Sequence, residues 1–310
     1  MQIIINVLLD EKPIFKNLLV TQKQNLNFRD SQKVEDWFKK FRPEIVIIAA
    51  AKVGGILANK NNPVEFLLEN LRIQNNLIES SWKYGAKKLL FLGSSCIYPK
   101  FAKQPIQEKY LLSDHLEDTN QWYAIAKIAG LKLCEAYRKQ YAYNTISLMP
   151  TNLYGPGDNY HPSESHVIAG LIRKFHEANY TKNKKVICWG SGNPLREFLY
   201  VEDFAEACIY VLNNWNPSKD NAPLDDEGNP LNWLNVGSEF EISIKELANS
   251  ISDIIGFNGE IIWDVNKPDG TPRKKLDTTF INKLGWQPKT NLKKGLKKTI
   301  INFQENYEKK

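Results

Sequence analysis

An α/β fold built on a doubly wound parallel sheet is what this chain of 310 residues predicts. Three observations carry the reading. Short apolar runs recur without in–out alternation, as in strands covered on both faces. Longer segments with helical periodicity separate them. The two kinds alternate along the chain, and that order means right-handed βαβ units.

The elements follow in turn. Residues 44–51 (EIVIIAAA) form a continuous apolar strand. Residues 63–84 place Phe66, Leu67, Leu71, Leu77 and Ile78 at helical spacing, with Asn70 and Asn75 among them. Residues 87–93 (KKLLFLG) are a second buried strand, 123–141 a long helix and 144–149 a third strand. Residues 153–157 (LYGPG) read as a loop, 166–179 as a helix and 185–189 as a strand. Beyond about residue 150 the pattern loosens. Loops lengthen at 214–232 and 266–272, and helices are expected at 201–213, 243–255 and 292–306. The expected organisation is a sheet domain over 1–150 and a smaller α/β substrate lobe over 151–310, interleaved with the end of the sheet.

Composition narrows the class. With 42% hydrophobic and 25% charged residues, the chain is neither disordered, collagen-like nor a coiled coil. No stretch reaches the roughly 18 apolar residues of a membrane span. The apolar start is short and meets Asp10 and Glu11, so no signal peptide and no membrane partner are expected. The net charge is +6, much of it in surface lysines. Lys293, Lys294, Lys297 and Lys298 alternate with Leu292, Leu296 and Ile300 like the solvated face of a helix, so nucleic acid is not an expected partner. Mild basicity suits an anionic small ligand. Cys96, Cys134, Cys188 and Cys208 are far apart and share no metal-ligand spacing with the histidines. No metal site or disulfide framework is expected, and a reducing cytoplasm is the default.

The front of the chain departs from the usual plan. A Rossmann-like dinucleotide site begins with a strand, a glycine-rich turn and a helix, because bare backbone and a helix N-terminus receive the pyrophosphate. Here the first glycine is Gly54. Residues 3–9 and 18–21 are strand candidates too close together for a parallel crossover. Residues 2–16 are then either a helix whose preceding strand and turn are missing, or a hairpin turning at Asp10-Glu11-Lys12-Pro13.

The strongest chemical signal is Tyr123 and Lys127, four apart on one helical face, with Ser94 and Ser95 at the end of a buried strand. A tyrosine alone is a poor acid–base group at neutral pH, and a neighbouring ammonium favours its phenolate. A serine hydroxyl can polarise a carbonyl while the tyrosine moves the proton. The hydride must come from a nicotinamide, since no side chain supplies one. Tyr and Lys four apart are common by chance; the Gly-Ser-Ser strand end upstream turns the balance toward chemistry.

Longer blocks support this: AAAKVGG (49–55), FLGSSCIYPK (91–100), NQWYAIAKIAG (120–130), MPTNLYGPGDNYHPSESHVI (149–168), WGSGNPLREFLYVED (189–203) and KPDGTPRK (267–274). On these the chain resembles the extended short-chain dehydrogenase/reductase family from about Leu18 onward, in its branch acting on GDP-linked 4-keto-6-deoxy sugars. The resemblance implies an NADP(H)-dependent epimerase and reductase, a GDP-sugar substrate and a homodimer through the two long helices. It implies Ser94, Tyr123 and Lys127 as the reductase triad, with Lys127 also holding the nicotinamide ribose. Leu92, Gly93, Ser94, Ser95, Pro150, Thr151, Asn152, Leu153 and His166 would line the cofactor groove. Cys96 and His166 would be the acid–base pair at carbons 3 and 5. Lys174, Trp189, Arg196 and Asp269 would take the nucleotide and its diphosphate, with Asn152 a weaker substrate candidate.

Each role has a plainer alternative. Free cysteine is most often a small buried hydrophobe, and His166 and Lys174 could be ordinary helix residues. Two other functions stay open: a sugar-nucleotide binder without cofactor, motivated by the absent glycine turn, and another NDP-sugar epimerase with the same triad.

Overall fold

The computed structural model describes residues 19–21, 25–267 and 269–307. The helix or hairpin expected over 2–16 lies outside them. Residues 19–21, part of the strand expected at 18–21, carry no regular structure.

Helix α1 (Ser31–Phe41) begins where the Asp30 side chain accepts from the Lys33 amide, and it ends at Arg42 in the left-handed region. Strand β1 (Ile45–Ile48), helix α2 (Ile56–Asn61) and helix α3 (Pro63–Lys83) follow, the last with proline in its first turn. Then come β2 (Lys88–Leu92), α4 (Gln121–Tyr141) and β3 (Thr145–Pro150). The second half holds β4 (Asn152–Tyr154), α5 (Val167–Tyr180), β5 (Lys185–Trp189), β6 (Leu195–Tyr200) and α6 (Val201–Asn214). It continues through β7 (Trp233–Val236), β8 (Glu241–Ser243), α7 (Ile244–Ile255), β9 (Glu260–Asp264), β10 (Arg273–Lys274), α8 (Thr279–Lys283) and α9 (Leu292–Tyr307).

The main sheet runs β1–β2–β3–β7, parallel throughout. Strand alternation divides its apolar side chains between two cores. Leu90, Leu92, Ile146 and Leu148 meet Phe204, Cys208 and Val211 of α6 on one face. Leu89, Phe91 and Met149 meet Ile78 of α3 and Ile128 and Leu131 of α4 on the other. Helices on both faces explain why these strands read as unbroken apolar runs. Helix α4 crosses close to the sheet at Gly130, where an added Cβ would lie 2.6 Å from the Phe91 ring. Gln74 of α3 donates to the Ala126 carbonyl of α4 at 2.6 Å and locks the two long helices together.

A smaller sheet has the order β10–β6–β4, parallel, with β8 antiparallel to β6; β5 and β9 pair parallel nearby. A third core forms here from Ile168, Ile172 and Phe175 of α5, Leu247 and Ile251 of α7, and Leu296 and Ile300 of α9. Among the described residues no helix is long and apolar enough to cross a membrane.

Several expectations need correction. The loop read at 153–157 begins as β4, because Asn152, Leu153 and Tyr154 pair with Phe198, Leu199 and Tyr200. Helix α1 and strands β6 to β10 carried no clear sequence pattern. Their partners lie far away along the chain, and pairing rather than propensity makes them strands.

Candidate active site

The C-terminal ends of β2 and β3 open into one cleft, the edge at which parallel α/β sheets bind nucleotides. Strand β2 delivers Leu92, Gly93 and Ser94 there. Gly93 packs closely under Met149: an added Cβ would lie 2.2 Å from its sulfur, and that side chain would have to move. Ser94 then caps the short 3-10 turn Ser95–Ile97, its hydroxyl accepting from the Cys96 amide at 3.2 Å. Both the Ser94 hydroxyl and the Cys96 sulfur act on Tyr123.

Helix α4 brings Tyr123 and Lys127 from the opposite wall. Lys127 is buried and donates to the Leu92 carbonyl at 2.8 Å, with its amine 5.8 Å from the Tyr123 ring centre. Burial lowers the Lys127 amine to about 8. Burial also pushes the Tyr123 phenol well above its ordinary range; the nearby Cys96 sulfur adds to the rise and the Ser94 hydroxyl opposes it. This corrects the expectation that the amine lowers the phenol. The amine is bound to the strand-end carbonyl, and desolvation decides the direction.

Cys96 is half-buried and receives two donors: Asn120 Nδ2 at 3.5 Å and Lys274 Nζ at 3.4 Å. Cys96, Glu117, Asn120, Thr271 and Lys274 line a small pocket beside the triad. His166 is the N-cap of α5. Its side chain is exposed at the start of the helix. Its pKa falls by desolvation, against the pull of Asp158, with Lys274 lowering it further. The two groups named for epimerisation thus share one neighbour, Lys274.

The remaining residues divide between wall and outer lobe. Thr151 Oγ1 and Asn152 Nδ2 both donate to the Glu197 carbonyl, at 3.1 and 2.8 Å, and fix the segment that joins β3 to β4. Pro150 ends β3, and Leu153 is half-buried in β4. Arg196 of β6 donates to the carbonyls of Leu195 and Asp269 at 2.9 and 3.3 Å, and it lies near enough to feel the Cys96 charge. Glu197 is fully buried and accepts from the amides of Ser238, Glu239 and Leu276 at 2.8, 2.7 and 3.0 Å.

Farther out, the exposed Trp189 ring carries the amines of Lys174 and Lys267 at 5.1 and 5.6 Å from its centre. Lys174 also donates to the Ile187 carbonyl at 2.9 Å. An aromatic platform flanked by cations is suited to a base and a diphosphate. The Asp269 carboxylate accepts from the Ser191 amide and hydroxyl at 2.7 and 2.8 Å, pinning the turn after β5. Gly190 has φ +78° and leaves no room there for a Cβ, which would lie 2.2 Å from that carboxylate.

Sequence reasoning missed Lys274, Asn120, Asp158, Glu117 and Lys267. Each except Glu117 lies inside a quoted block, so the signal was present, but nothing local says that KPDGTPRK reaches a sulfur 178 residues away.

A model of the NAD dependent epimerase/dehydratase family matches residues 8–222. The chain is 50% identical over 292 residues to GDP-L-fucose synthase 1 of Arabidopsis thaliana, covering 94% of this chain and 86% of that protein. It is 48% identical over 292 residues to the GDP-L-fucose synthase of Escherichia coli, covering 94% and 90%. A solved structure of a GDP-mannoheptose C4 reductase from Campylobacter jejuni, with NADP bound, superposes with a TM-score of 0.85 at 35% identity, over 98% of this chain and 94% of that one.

Proposed function

The chain belongs to the NAD dependent epimerase/dehydratase family, and from that membership we propose that it is an NADPH-dependent enzyme converting GDP-4-keto-6-deoxy-D-mannose to GDP-L-fucose, by epimerisation at carbons 3 and 5 and reduction at carbon 4. The observation that carries the reading is the meeting of Ser94, Cys96, Tyr123 and Lys127 at one strand end, with His166 sharing the Lys274 neighbourhood.

The ketone at carbon 4 acidifies the hydrogens on carbons 3 and 5. Cys96 as thiolate takes a proton from one face, the electron pair moves toward the oxygen on carbon 4, and His166 returns a proton from the other face. The Ser94 hydroxyl donates to the oxygen as its charge grows. NADPH, when bound, supplies the hydride for carbon 4. Tyr123 holds the proton for that oxygen, and its raised pKa keeps it protonated at neutral pH.

The donor set fits a nicotinamide riboside. The Lys127 amine, which reaches the Leu92 carbonyl, and the Tyr123 and Ser94 hydroxyls would hold the nicotinamide ribose, with Asn152 beyond β3 a further candidate. The groove is assigned to Leu92, Gly93, Ser94, Ser95, Pro150, Thr151, Asn152, Leu153 and His166. Trp189 takes the guanine face, Lys174 and Arg196 the diphosphate, and Asp269 the nucleotide end.

The lobe boundary near residue 150 is supported by the third core, which draws only on residues from Tyr154 onward. Exposed Val64 and Leu68 on α3 and Trp122 and Ile125 on α4 suit a homodimer through these helices. The free cysteines suit a cytoplasmic protein.

The test is direct. Purified, folded protein given NADPH and the 4-keto-6-deoxy GDP-sugar should consume NADPH and yield GDP-L-fucose. Retained GDP-sugar binding with no NADPH binding would replace the proposal with a cofactor-free binder.

A further inference from the structure

Resting on the epimerase reading above, we propose that Lys274 is a positioning residue that keeps the Cys96 sulfur anionic and aimed into the cleft.

The first observation is contact. Lys274 Nζ is 3.4 Å from Cys96 Sγ, and Asn120 Nδ2 approaches the same sulfur at 3.5 Å. Two donors converging on one sulfur is the arrangement an acceptor wants, and a thiolate is the strong acceptor form of cysteine.

The second is independent and lies in the sheet. Strand β10 pairs with β6 in parallel, with Lys274 directly beside Arg196. Side chains at paired positions share a face, and like charges placed so repel. An anion between them relieves that repulsion. Asp269 helps Arg196, but its carboxylate is held by Ser191. The Cys96 sulfur is the acceptor that Lys274 touches, and it also acts on Arg196. Other groups facing the sulfur are Tyr123 from α4 and Glu117 from the pocket wall, with Lys100 3.9 Å from Glu117. The donors that reach the sulfur are Asn120 Nδ2 and Lys274 Nζ, and of the two only Lys274 carries charge.

The third is that Lys274 acts on His166 in the opposite sense, disfavouring its charged form. One ammonium therefore favours the thiolate form of the sulfur, at some cost in its basicity, and makes imidazolium the more willing acid. A single charge thus bears on both partners of the proton exchange.

The experiment compares Lys274→Met and Lys274→Arg with the parent protein in two pH series. The first measures alkylation of Cys96 by iodoacetamide, with Cys96→Ser as the blank. The second measures solvent-deuterium entry at the carbons flanking the ketone. A unit charge at contact in water-like surroundings changes the thiolate fraction by roughly fivefold to tenfold. Lys274→Met should lower alkylation and exchange by that factor near neutrality and move both profiles to higher pH, with rates recovering above the new midpoint. Lys274→Arg should restore most of the shift. A merely structural loss would depress both rates at every pH and leave the midpoints in place; that result overturns the proposal. If Cys96→Ser exchanges deuterium like the parent, the epimerase role of Cys96 fails instead.

Discussion

Replacing Lys127 with methionine should change how folding stability responds to pH, and by an amount the structure supplies. Lys127 is buried and its amine titrates near 8 rather than at its ordinary 10.5. A lowered lysine pKa means the folded state holds this proton less tightly than the unfolded chain. Below about pH 8 both states are largely protonated and the full penalty is present, roughly 3 kcal/mol for a displacement of this size. Between 8 and 10.5 the unfolded chain binds more protons, so stability rises with pH. Lys127→Met has no such group. The difference in unfolding free energy between the two proteins should therefore move in favour of the parent by about 2 kcal/mol from pH ~7.5 to ~9.5. Taking the difference cancels the other titrating residues. Urea unfolding of both proteins without cofactor, at several pH values, measures it. A difference that stays flat would show that the amine is well solvated, and the account of the cleft floor would be wrong.

Other consequences can be checked separately. Tyr123→Phe should reduce NADPH consumption by about 10²–10⁴-fold, the range for losing a positioned proton donor, while GDP-sugar binding by calorimetry persists. Trp189→Ala should weaken GDP binding by roughly 1–3 kcal/mol, the worth of one base stacked on an aromatic ring, also read by calorimetry. Glu197→Ala removes the acceptor of three backbone amides. The Leu276 amide is the buried one of the three, and at about 1–3 kcal/mol for an orphaned buried donor the change should lower unfolding free energy by roughly that amount in a denaturant titration.

The central strands of the main sheet were readable because they are covered on both faces, as the uninterrupted apolar run KKLLFLG shows; EIVIIAAA reads as a strand by the same signal although only Ile48 of β1 is buried. Helices α3 and α4 show their buried stripes plainly. Strands such as β6 and β9 were not readable. LREFLY and EIIWD mix charged and apolar residues, and only distant partners decide their state. At the site, the clustering of Ser94, Tyr123 and Lys127 was legible because Tyr123 and Lys127 share one helix and Ser94 follows a buried strand. The Lys274 contact was not, since a two-residue strand joins it to β6 across the fold. The direction of the Tyr123 shift was also hidden: spacing reports who is near, and burial reports which charge state survives.

The buried Glu197 clamp has a consequence for anyone wishing to retool this catalyst. It neighbours Arg196 in β6, and the Leu276 amide it grips lies two residues beyond Lys274. One buried carboxylate is thus the keystone for the backbone that carries both Arg196 and Lys274. Grafting a different 269–276 loop to accept another hexose would succeed only if the replacement still offers its backbone to that keystone; otherwise the new contacts would be mounted on a frame free to drift.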